Sequence, residues 1–241
     1  MDDDKKTGLF GKLPAHGDFI YRELPSGFMT VWDEWLQGYV GSSQEQLGDA
    51  WLDTYMTSPI WRFAFSEGVI DSNAWAGIFL PSVDRVGRYF PFSVVTRLPA
   101  STNPTDFLCS RPNWYKAMED AALDALNGKL KIDDLVEELN DSNPRGTHVY
   151  ARGALLENTS RAVVRMPNSE QSPASVLPFV LDAYLCSSYS SYSVWSTSGS
   201  DNMDASVFVS GGLPKFAGIA AMLDGQWEQW DWPEPFPMIN C

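Results

Sequence analysis

Two stripes of large aromatic side chains near the start of the chain limit its fold more than any other feature. Phe28, Val31, Trp32, Trp35, Leu36 and Tyr39 recur at helical spacing, and Ser26 or Gly27 can start that helix. Leu47, Trp51, Leu52 and Tyr55 repeat the stripe until Ser58-Pro59 stops it. Aromatic faces of this width bury their area only against another layer, and candidate strands flank the helices. Gly8 to Leu13 is a short strand that breaks at Pro14 and turns at Gly17. Trp61 to Phe65 alternates, Trp75 to Leu80 is apolar, and Phe92 to Leu98 is β-branched with polar interruptions. These are three strands in succession, the last two joined by a loop from Pro81 to Pro91.

Pro104 to Asn127 then predicts one helix closed by Gly128, and Ile132 to Leu139 a short acidic helix. Arg161 to Met166 is an expected strand and Val176 to Leu185 an expected helix. Strands at Ser193 to Ser196 and Ser206 to Val209 follow, and Gly211-Gly212-Leu213-Pro214 leads into a final helix, Lys215 to Leu223. Runs of strands separated by clusters of helices predict a mixed α/β, α+β-like fold. Its single mixed, partly antiparallel sheet is covered by helices on both faces. The first half alone lacks enough helices to cover both faces, so one domain over 1–241 is expected, with Pro167 to Pro173 as the only internal boundary to consider.

A chain of 241 residues with ten Trp can build a packed core without disulfides or a structural metal. Lys and Arg total 17 against 31 Asp and Glu, a formal net charge of −14. Nucleic acid and anionic lipid both want cationic footprints, so this balance opposes them and favours a partner with a basic patch. Cys109, Cys186 and Cys241 are far apart and form no Cys-x-x-Cys pair, which points to a reducing compartment. The opening residues lack the apolar stretch of a secretory signal. The apolar run from Ser175 to Cys186 contains Pro178 and Asp182 and is too short to span a membrane. A cytoplasmic location is expected.

Catalysis requires particular side chains in particular arrangements, and the residues offer only fragments of them. Lys12, His16 and Asp18 near a turn could be an acid/base site or one wing of a metal site. Yet His16 and His148 are the only histidines, which leaves a turn built on Gly17 and Asp18 as the simpler account. Ser82, Asp84 and His16 can be assembled as a hydrolase only on paper, because no Gly-x-Ser-x-Gly elbow occurs. No phosphate-loop or dinucleotide glycine pattern is present either. We therefore expect no catalytic residue, cofactor or metal.

The loop from Pro81 to Pro91 carries two readings. Arg85 and Arg88, separated by Gly87, could cradle a phosphate or a partner carboxylate. Alternatively, Asp84 pairs with one arginine, the other binds backbone carbonyls, and Tyr89-Phe90 enter the core. The aromatic stripe of Trp32, Trp35, Trp51 and Trp61 is expected in the core. Two surfaces are candidate contacts for a partner. One is the acidic helix with Asp133, Asp134, Glu137 and Glu138. The other is the tail, where Trp227, Trp230, Trp232 and Phe236 alternate with acids and either dock elsewhere or fold back on their own sheet.

Several of these segments together resemble a known family. Gly11-Lys12-Leu13-Pro14-Ala15-His16-Gly17-Asp18-Phe19, Trp32-Asp33-Glu34-Trp35-Leu36, Trp51 through Tyr55 and Pro59-Ile60-Trp61-Arg62-Phe63 resemble blocks of the TagF/ImpM proteins of bacterial type VI secretion. The sharpest match is Pro81-Ser82-Val83-Asp84-Arg85-Val86-Gly87-Arg88-Tyr89-Phe90-Pro91. Trp195 to Gly199 and Gly212-Leu213-Pro214 resemble later landmarks, while His16 and Val194 depart from the pattern. The resemblance implies a non-enzymatic accessory protein, a post-translational negative regulator that engages the cytoplasmic forkhead-associated scaffold. The rival reading is a small hydrolase or a phosphate-recognising module centred on Ser82, Arg85 and Arg88.

Overall fold

The chain folds around a seven-stranded sheet, seen in a computed structural model that describes residues 7–141, 163, 166 and 172–236. In sequence order, β1 (Thr7–Gly11) and β2 (Ile20–Arg22) precede α1 (Ser26–Leu47) and α2 (Trp51–Met56). Then come β3 (Trp61–Phe65), β4 (Ala74–Leu80) and β5 (Phe92–Leu98), followed by α3 (Pro104–Ser110), α4 (Pro112–Leu126) and α5 (Ile132–Asp141). The last elements are α6 (Leu177–Ser188), β6 (Tyr192–Thr197), β7 (Ser206–Gly211) and α7 (Ala221–Asp224). The strand order is β2-β1-β5-β4-β3-β6-β7. The expected α/β fold on one sheet is what forms, and every strand pair among the described residues, rather than some, is antiparallel.

Side chains alternate across a strand, and here the alternation makes two unlike faces. Trp61, Phe63, Phe65, Trp75, Phe79 and Trp195 point to one side, where they meet the α1 stripe of Phe28, Trp32, Trp35 and Tyr39. Trp32 lies 5.0 Å from both Trp35 and Phe63, ring centre to ring centre. Ala64, Ala74, Ala76, Ile78, Leu80 and Val94 point to the other side, beneath α3, α4 and α5. Gly77 makes room on the aromatic side: a Cβ there would sit 2.2 Å from the Val94 carbonyl and 3.0 Å from the ring of Phe63, its cross-strand partner.

Buried indole N–H groups must find acceptors, and these tie the aromatic layer together. Trp32 donates to Ser93 Oγ at 3.1 Å, Trp35 to the Pro214 carbonyl at 2.9 Å, and Trp61 to the Met222 carbonyl at 2.9 Å. Trp51 donates to Ser43 Oγ at 2.9 Å. Among the described residues, Trp114 Nε1 is a buried side-chain donor without a partner. On the opposite face Arg62 of β3 forks onto Glu119 of α4, with contacts of 2.6 and 2.9 Å.

Three expectations need correction. The helix expected over Pro104 to Asn127 is two helices, because Pro112 removes an N–H and forces Arg111 out of helical geometry to φ −127°, ψ 49°. Asn103 caps the first of them, accepting from Asp106 N at 3.0 Å. The final helix shrinks to Ala221–Asp224, since Gly218 takes φ +74° where the Trp230 carbonyl crosses it. The short edge strand β2 was not expected at all. The strand expected over 161–166 lies outside the described residues, apart from Val163 and Met166, which belong to no strand.

Candidate functional site

The most conspicuous polar construction joins the two sharpest sequence motifs, residues 11–19 and 81–91. It begins where Gly11 ends β1 at φ +129°, so close to the Pro91 carbonyl that a Cβ would lie 2.0 Å from it. Pro14 follows in a turn closed by His16 N donating to the Leu13 carbonyl at 3.0 Å. Lys12 thereby points inward, and its ammonium donates to Asp84 Oδ2 at 3.0 Å with both side chains almost wholly buried.

Asp84 organises its own loop around its carboxylate. Oδ1 accepts from Arg88 N at 2.9 Å and Val86 N at 3.0 Å, while Oδ2 accepts from Arg88 Nε at 2.6 Å as well as from Lys12. Gly87, at φ +87°, closes the tight turn with its N–H on the Asp84 carbonyl. Burial would push the Asp84 carboxyl up. The hydrogen bonds from Arg88 N, the Lys12 ammonium, the Arg88 guanidinium and Val86 N outweigh it and hold the group well below the usual carboxylate range.

Further bonds weld the loop to the first motif. Arg88 donates to the Gly17 carbonyl and lies 4.0 Å from Asp18, and Arg85 N donates to the His16 carbonyl at 2.9 Å. The Lys12 ammonium sits 4.8 Å over the Phe19 ring, which stacks edge-on to Phe90 at 4.9 Å. Of the two internal roles foreseen for the arginines, Arg88 takes both. The Arg85 guanidinium is exposed and makes no side-chain hydrogen bond or ion pair among the described residues. Pro81 leads into this loop from β4, and Tyr89 packs against Trp51 and Tyr55.

Ser82 is placed where a hydroxyl holds structure. It is 1% exposed, its Oγ donates to the Lys12 carbonyl at 2.6 Å, and its own backbone bonds the Tyr55 hydroxyl through both N–H and C=O at 3.1 Å. A nucleophile needs a base and access, and this geometry supplies Ser82 with neither. His16 is half-buried and bonds the surrounding loops only through its main chain.

The acidic helix α5 anchors Leu135 and Leu139 in the core and leaves Asp133, Asp134 and Glu137 exposed. Arg22 of β2 approaches Asp133 at 4.0 Å; the Glu138 side chain lies outside the described residues. The tail folds back on its own chain. Trp227 packs edge-on to Trp61 and Phe208, Trp230 donates to Asp224 at 2.8 Å, and Trp232 donates to the Gly218 carbonyl at 2.9 Å. Phe236 stays exposed. Sequence reasoning missed the Lys12–Asp84 pair and the Arg62–Glu119 fork, because no local spacing signals contacts between such distant residues.

Comparison with known proteins bears directly on the joined motifs. The profile of the TagF N-terminal domain, type VI secretion system-associated, matches residues 8–142 and so includes both of them. The chain belongs to the TagF family. A crystal structure of PA0076 from Pseudomonas aeruginosa PAO1 is 30% identical, with a TM-score of 0.72, covering 98% of this chain and 99% of that one. No curated protein matches. TagF proteins are type VI secretion-associated accessory proteins of a non-catalytic family. No helix among the described residues is long and apolar enough to cross a membrane.

Proposed function

We propose that this TagF protein is a cytoplasmic negative regulator of type VI secretion that acts as one domain, 1–241, by stoichiometric binding to the forkhead-associated scaffold. What supports the reading most is the contrast between Arg85 and its surroundings. Lys12 and Arg88 both spend side-chain donors on Asp84 inside the joined motifs and make the loop rigid, while Arg85 extends from it with its guanidinium donors uncommitted among the described residues. A guanidinium held on a rigid loop loses little freedom on binding and suits a partner carboxylate or phosphate. On a chain of net charge −14, such a cation is a marked local exception.

A second contact surface has its own support. The outward carboxylates of α5 stand on a helix held by Leu135 and Leu139, which suits a basic patch on the partner. Surface plasmon resonance against the purified scaffold tests both. Arg85→Glu is expected to weaken binding by about tenfold or more, which is about 1.4 kcal/mol. Triple reversal at Asp133, Asp134 and Glu137 to Lys is expected to slow association. Wild-type protein that fails to bind the scaffold would refute the proposed partner.

A further inference from the structure

Among the described residues, the outer edge of β7 is open, and its outward groups can be assigned. Gly212 N donates to the Ser191 carbonyl at 3.0 Å, and the register pairs Ser210 with Ser193, Phe208 with Trp195 and Ser206 with Thr197. Bonded and non-bonded pairs alternate along an antiparallel ladder, so Ser206, Phe208 and Ser210 turn their backbone groups to β6. Ser66 N on the Tyr192 carbonyl at 2.9 Å sets the same phase from the far side of β6. Val207, Val209 and Gly211 therefore turn N–H and C=O outward, and no hydrogen bond among the described residues reaches them.

Open edges are normally kept short, charged or covered. The opposite edge, β2, is three residues long and carries Arg22. β7 is Ser-Val-Phe-Val-Ser-Gly, six residues without a charge or a proline, and Val207 is 72% exposed. Val209 and Leu185 of α6 pack against the same core cluster on one face of the sheet, and Val207 shares that face. There α6 turns Leu177, Leu181 and Tyr184 outward, one per helical turn. Its single charge, Asp182, is buried and accepts from the Tyr192 hydroxyl.

Among the described residues, β7 and the outward side of α6 thus offer apolar side chains and no outward carboxylate of their own on the same side of the sheet. Chains of net charge −14 repel one another, and this surface is where two of them can meet with least repulsion. We infer that it is a homodimer interface, with β7 of a second copy laid antiparallel on β7 about a two-fold axis through Val209. That register bonds Val209 to its counterpart and Val207 to Gly211 of the second copy, so every outward group on both edges is paired. The sheet continues across the dimer and the α6 stripes lie alongside it.

Light scattering on the full chain at tens of micromolar tests this independently of Arg85 and the scaffold. Wild type is expected at twice the 26.9 kDa chain mass. Val207→Pro deletes an outward N–H without touching the ladder to β6, and Leu181→Asp places a carboxylate in the α6 stripe. Both are expected to return to the chain mass with unchanged circular dichroism; if Val207→Pro fails to fold, Leu181→Asp decides. A monomeric wild type overturns the inference, whether the β7 amides exchange freely or are protected by this chain's own residues. Natively folded variants that remain dimeric overturn it too.

Discussion

Lys12 and Asp84 stand 72 residues apart in sequence and 3.0 Å apart in the fold. Each would be costly to bury alone. Together with Arg88 they form a closed set in which the carboxylate accepts two side-chain and two main-chain donors. The same contacts lock the loop that carries Arg85, so the ion pair joins folding to the proposed binding surface.

Asp84 makes stability depend on acidity, and the sign follows from its lowered titration. The unfolded chain takes up this proton near the ordinary value of about 3.9, whereas the native chain resists until lower pH. The stabilisation is full above the ordinary range and is lost as pH falls through it towards the lowered native value. Asp84→Asn has no such titration and leaves Lys12 unpaired. Its urea midpoint should lie far below wild type at about pH 7, and the gap should narrow by about pH 3. A gap that stays constant would show that Asp84 is not held ionised by these partners.

Trp35 is 4% exposed, contacts Trp32, Tyr39, Phe79 and Trp195, and donates to Pro214. Trp35→Ala should cost about 3–5 kcal/mol in urea unfolding. Trp35→Phe keeps a ring but leaves the Pro214 carbonyl unpaired, an expected loss of about 1–3 kcal/mol. Equal losses for the two would place the energy in the hydrogen bond rather than the packing.

His16 and Ser82, the residues a hydrolase would use, should separate by stability alone. His16→Ala should change stability by no more than about 0.5 kcal/mol and leave scaffold binding intact, since only its main chain is engaged. Ser82→Ala strips the Lys12 carbonyl of its donor and should cost about 1–3 kcal/mol. Loss of regulation by His16→Ala with a native circular dichroism spectrum would return that side chain to a functional role.

What was legible in the sequence tracks how local the signal is. The Trp32 and Trp35 stripe and strands β3 and β5 announce themselves by period, because every third or fourth helix residue and every second strand residue share one face. β2 does not, since three residues with Tyr21 and Arg22 exposed make no alternating pattern. Pro112 was visible, but a proline can also occupy a helix start, so only the Arg111 backbone decides that two helices meet there. At the site, Asp84 with an arginine four residues on was within reach of local reasoning. Lys12 was not, because its place depends on β1 lying beside β5. Which arginine stays free likewise depends on the Gly17 carbonyl, delivered by the other motif.

Binding kinetics separate the candidate surfaces. Exposed charges act over roughly a Debye length, about 8 Å at physiological salt, and govern encounter more than residence. If Asp133, Asp134 and Glu137 steer a basic patch, raising salt should slow association with the scaffold and leave dissociation nearly unchanged. If Arg85 forms a bidentate contact at the centre of the interface, Arg85→Ala should speed dissociation, and Arg85→Lys should rescue it only in part. Trp230 donates to Asp224 within its own chain. Trp230→Ala should therefore lower the melting temperature without altering dissociation. Faster dissociation of Trp230→Ala at unchanged stability would instead make the tail the anchor, and a salt-independent association rate would remove α5 from the interface.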